Sequence, residues 1–161
     1  MKTRLHGIMG FLAMVIISLF FVSTVTVELM RNEQAVASVK QMIVYGLFIL
    51  VPAMMLTGIS GKAIVGTRQG RLIKTKMKRM IVVAANGILI LIPCAIILNK
   101  LAISGTFNAA FYMIQGVELL AGAVNIVLMG MNIRDGLLLT GRIKKRRRMI
   151  SNWEQGKSAH L

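Results

Sequence analysis

The stretch FYMIQGVELLAGAVNIVLMGMN, residues 111 to 132, is apolar enough to lie in a membrane, yet it carries Glu118 near its middle. It is the heart of an apolar run from Phe107 to Ile133, and three further runs precede it: Ile8 to Val27, Met42 to Ile59 and Met80 to Leu98. Each supplies close to the ~20 residues that cross a hydrocarbon core of about 30 Å as a helix. None alternates with period two, which disfavours a transmembrane barrel. The pattern predicts an all-α integral membrane protein with four transmembrane helices, over residues 8–28, 42–60, 80–99 and 107–133. One domain is expected over residues 1–149, followed by a short polar tail over 150–161.

Composition agrees. Of 161 residues, 56% are hydrophobic, and the mean hydropathy of +0.72 lies above the range of soluble globules. The N-terminal segment begins like a signal peptide. Its apolar run is longer than an h-region needs, and the first A-x-A, Ala35 to Ala37, lies too far downstream, so it reads as a retained helix. Cys94 has no second cysteine to pair with, which rules out an intrachain disulfide or a multi-cysteine metal site.

The net charge of +15 would suggest nucleic acid in a soluble protein, but here the distribution of the 20 Lys and Arg points elsewhere. All except Arg31, Lys40 and Lys100 lie before the first run, between the second and third, or after the fourth. The positive-inside rule then puts both termini and the middle connection in the cytoplasm, with the localisation a bacterial inner membrane. The outer connections, VELMRNEQAVASVK at residues 27–40 and NKLAISGT at 99–106, are brief and force antiparallel neighbours. An up-down-up-down bundle with N-in/C-in topology is expected. Pro52 and Pro93 should each kink their helix.

The cytoplasmic segments GRLIKTKMKRMI and GRIKKRRRMI echo each other, as a duplicated hairpin would. Their basic residues Lys74, Lys76, Lys78 and Arg79, and Lys144, Lys145, Arg146, Arg147 and Arg148, are placed to contact anionic lipid headgroups. Nucleic acid is not expected, because no aromatic residues interleave with them.

In the fourth run Glu118, Asn125 and Asn132 recur every seven residues, with Gln115 one turn before Glu118, and so share one inward face. Glu118 falls roughly 3 Å from the centre of the run at a rise of about 1.5 Å per residue. A charge at that depth costs about 3 kcal/mol on insertion scales. No Lys or Arg lies within any apolar run, so the acid is expected to find no cation in its own chain. It should instead be protonated and bonded to amides such as Asn86. Asp135 is expected to pair with its neighbour Arg134.

Two functions fit this seam. In one, a small transporter or channel-like protein passes protons or a cation by way of Glu118, Gln115, Asn125, Asn132 and Asn86. In the other, the chain is a non-catalytic membrane subunit or assembly factor whose seam packs on partner helices and whose basic face binds anionic lipid. Either is expected as a homo-oligomer or as part of a membrane complex. Other chemistries fit poorly. The 13 methionines are not spaced as copper ligands, no histidine lies within the membrane for a haem, and GISGKAIVGTRQGR lacks the first glycine and the Ser or Thr of a P-loop. The five acids are scattered and no nucleophile has a base beside it, so no cofactor, metal or enzymatic activity is expected.

Overall fold

The computed structural model describes residues 2–65 and 71–139, and all regular structure among them is helical. Helix α1 spans Lys2–Leu29, α2 Glu33–Val65, α3 Arg71–Asn86, α4 Ile92–Ile103 and α5 Ala109–Leu139. A π-helical turn, Gly87–Leu91, joins α3 to α4 without a break. The described residues therefore include four helices long and apolar enough to cross a membrane: Leu5–Leu29, Glu33–Ala63, Ile73–Ile103 and Ala109–Leu138. That is the make-up of a multi-pass membrane protein.

Every helix overruns its apolar run, because local capping rather than hydropathy sets the ends. The expected connection over 27–40 shrinks to a turn at Met30–Asn32, with Arg31 in the left-handed region at φ 51°. Asn32 caps α2: its Oδ1 accepts the Ala35 N–H at 3.1 Å. At the other short turn the Thr106 N–H bonds Leu101 O and the Gly105 N–H bonds Ala102 O, a Schellman ending that needs the positive φ of Gly105. Asn108 then caps α5 through Phe111 N–H at 3.1 Å. The consequence for function is that Lys40 is not in a loop. It lies two turns inside α2.

Helix α1 packs along α2 and against α5, α2 packs on α4, and α3, the π turn and α4 all pack on α5. The four long helices thus close a ring in which α2 and α5 face each other across the interior without close backbone approach. Between α1 and α2 the Phe20 ring lies against Gly46 in the space a side chain would fill. The outer faces are apolar: Phe48, Leu89, Met113 and Leu120 are 72 to 77% exposed, which in lipid is the solvated state of such side chains. Two apolar layers fill the inside. One gathers Ala13, Ile17, Leu50, Ala53, Val83 and Met129, and the other Val27, Val36, Leu98, Ala102 and Phe111.

The two prolines behave differently. Pro52 sits on the exposed side of an unbroken α2. Pro93 follows the π turn, whose wider ring, closed by the Ile92 N–H to Gly87 O bond, relieves the clash a proline makes with the carbonyl four residues back. The turn also holds one extra residue. From the buried Gly87 to the buried Ala95 is eight positions where a regular seam would give seven, and the inward face is kept on both sides.

Candidate functional site

On α5 the inward positions are Phe111, Gln115, Glu118, Gly122, Asn125, Met129 and Asn132, in steps of four and three. This is the seven-residue seam read from the sequence, and it faces the chain's own helices. On α2 the corresponding positions include Val36, Lys40, Ile43 and Leu50, all buried. Lys40 therefore occupies a seam position, and its side chain is 0% exposed.

Across the ring the Lys40 ammonium meets Glu118 Oε2 directly, and the Glu118 side chain is only 12% exposed. This corrects the expectation that Glu118 has no cation in its own chain. The physical reason is that Lys40 lies outside the apolar run but inside the helix, and its four-methylene stem carries the charge inward while packing like an aliphatic side chain. The depth of the acid changes too. Because α5 continues to Leu139, Glu118 lies about 9 Å from the helix centre rather than near it, at about 1.5 Å per residue.

The pair has company from every side. Gln115, 4% exposed, donates through Nε2 to Glu118 Oε2 at 3.3 Å, while its own Oε1 is buried and accepts no bond among the described residues. From α1, Glu28 lies within the electrostatic reach of both Lys40 and Glu118, and its Oε1 is likewise buried without a donor. From α4, Cys94 lies in the field of the same two charges, and further along that helix Asn99 has a buried Oδ1 with no donor among the described residues. Two acceptor atoms near the ion pair, Gln115 Oε1 and Glu28 Oε1, are thus buried with no donor among the described residues. Such a site suits a proton that changes partners, or a small cation.

Asn86 and Asn125 make a second, separate station. Asn125 is 0% exposed; Asn86 Nδ2 donates to Asn125 Oδ1 and to Ala121 O, both at 2.8 Å, and Asn125 Nδ2 donates to Val83 O at 3.4 Å. Asn86 is therefore not the partner of Glu118; it ties the third span to α5. Asn132 follows one heptad on, with a buried Oδ1 that has no donor among the described residues.

At the end of the seam Asp135 does not pair with Arg134, which is exposed; it accepts from Arg79 Nη1 at 2.6 Å. Lys76 lies in the electrostatic field of Asp135, with Nζ 3.1 Å from where a side chain on Gly136 would begin. The first basic block thus divides: Lys74 and Lys78 are exposed, whereas Lys76 and Arg79 turn toward Asp135. The second block, Lys144 to Arg148, lies outside the described residues.

Sequence reasoning had assembled Gln115 with Glu118 and had Asn86, Asn125 and Asn132 on the inside, but it missed Lys40, Glu28, Asn99 and Arg79. Lys40 was findable: it stands four residues after Val36 and three before Ile43, the same stepping that defines the α5 seam. No protein-family model matches this chain, and neither a curated protein nor a solved structure is similar to it.

Proposed function

We propose that this chain is a small bacterial inner-membrane transporter or channel-like protein that handles protons or a cation at the Lys40–Glu118 pair. The topology that goes with this reading is an up-down-up-down bundle with both termini in the cytoplasm. The charge distribution supports it, since Arg31, Lys40 and Lys100 are the only basic residues assigned to the outer side. The two tight Asn-capped turns support it as well, because connections this short join antiparallel neighbours.

The observation that carries the functional reading is the ion pair itself. An ammonium and a carboxylate inside a membrane domain are expensive to insert, and such groups recur on ion and proton pathways. Packing alone would be served by amides, as at Asn86 and Asn125. Moving a proton from Lys40 to Glu118 converts two charges into two neutral groups, so the exchange itself leaves no net buried charge.

The test is ion and proton flux in proteoliposomes, comparing the wild type with the double variant Lys40→Gln, Glu118→Gln. Two amides keep hydrogen bonding but cannot exchange a proton. Flux should fall at least tenfold while the melting temperature stays within a few degrees; equal flux in a folded double variant would sink the transport reading.

A second reading, a non-catalytic membrane subunit or assembly factor, draws on a different observation. Asn86, Asn125, Arg79 and Asp135 are bonded to one another within the chain, as interhelical glue would be. On that reading the exposed Lys74 and Lys78, with Lys144 to Arg148, hold the chain to anionic lipid, and the apolar outer faces meet a partner or a second copy. Loss of the pair would then change assembly and leave no flux to lose.

A further inference from the structure

Seen along α5, the polar groups form a line: Glu118, Asn125 and Asn132 at intervals of seven, then Asp135. Seventeen positions separate the two acids, about 25 Å at a rise of 1.5 Å per residue, close to the thickness of a hydrocarbon core. We infer that the species handled is the proton, that its path follows this inward face between Glu118 and Asp135, and that the Asn86–Asn125 amide pair is the barrier dividing it. The inference rests on the transport reading above and adds the substrate and the gate.

The proton is favoured over a metal cation by the chemistry of the Lys40–Glu118 pair. A metal ion would have to displace the Lys40 ammonium from Glu118 and would find no group of three or more His, Cys, Asp or Glu among the described residues. A proton needs no displacement. The N–H bond of Lys40 breaks, its electron pair stays on nitrogen as a neutral amine, and the same proton forms the O–H bond of neutral Glu118. Glu28 from α1 and Cys94 from α4 are the ionisable groups among the described residues that lie in the field of the pair.

On either side of the amide pair are buried acceptors with no donor among the described residues: Gln115 Oε1, Glu28 Oε1 and Asn99 Oδ1 toward one end, Asn132 Oδ1 toward the other. Buried acceptors of this kind are satisfied by internal water, and water passes protons. Between them lies Asn125, which is fully buried, with the Asn86 and Asn125 amide hydrogens bonded to Ala121 O, Asn125 Oδ1 and Val83 O. A carboxamide neither releases nor accepts a proton near neutral pH. At the far end Asp135, which accepts from Arg79 of α3 and lies in the field of Lys76, is the carboxylate at which the path ends.

The experiment is proton flux in proteoliposomes loaded with a pH-sensitive dye, under a potassium diffusion potential, with sodium present or absent. Asn125→Asp places a titratable carboxyl in the barrier and should raise proton flux at least tenfold over the wild type, independent of sodium. Asn125→Leu should lower it at least tenfold. Asn86→Asp, on the other side of the same bond, should act as Asn125→Asp does and stands in for it if that variant does not fold. Wild-type proton flux that none of these changes would overturn the inferred path and leave the transport reading intact. Flux carried by sodium or potassium and not by protons would do the same. A wild type that conducts nothing, with an equally silent Asn125→Asp, would remove both.

Discussion

A lysine can be buried where its neighbours allow, because its stem is hydrocarbon and only its last atom is charged. At position 40 the stem passes between helices and the charge ends on Glu118, so the desolvation of two ions is offset by their contact in a medium of low dielectric. Hydropathy scoring weighs the whole residue by its last atom, which is why Lys40 reads as loop in the sequence and as interior in the fold. The same bias hides Arg79, whose guanidinium reaches Asp135 from α3. Asn125 and Gln115 were legible, because an amide on a seven-residue seam faces inward whatever it bonds to. The partner of Asn125 was not legible: choosing between Glu118 and Asn125 for Asn86 needs the phase of the third span, and the π turn before Pro93 resets that phase.

At the scale of elements, the four spans were legible from apolar length alone, and their ends were not, because Asn32 starts α2 well before its apolar run and Asn108 starts α5 just inside its own. What holds α1 to α2 is close approach. The Phe20 ring stacks on the Gly46 backbone, so any side chain there must push the helices apart. In a membrane, helix association draws on such packing, since lipid supplies no hydrophobic drive between helices. Gly46→Leu is therefore expected to destabilise the protein by about 1 to 3 kcal/mol, the range for overpacking. Gly58→Leu, where nothing lies within 4 Å of the added atom, should cost far less. A denaturant titration in mild detergent compares them; equal losses would mean that the α1–α2 contact is not a close one.

For the whole molecule, the proposed orientation makes a prediction independent of any site. A reporter fused after Leu161 or inserted near Gln69 should read cytoplasmic, and one inserted at the Asn32 turn should read external. A periplasmic C-terminal reporter would invert the assignment of sides. It would leave untouched the contact on which the account depends, the Lys40–Glu118 pair, which joins two helices that otherwise do not approach. The measurement that tests this most directly is a double-mutant cycle on folding stability in mild detergent, using Lys40→Gln, Glu118→Gln and both together. Each single change strands one buried charge and should destabilise by about 3 kcal/mol, whereas the double variant should recover most of that loss. Additive losses, with no coupling between the two positions, would contradict the buried pair and with it the proposed site.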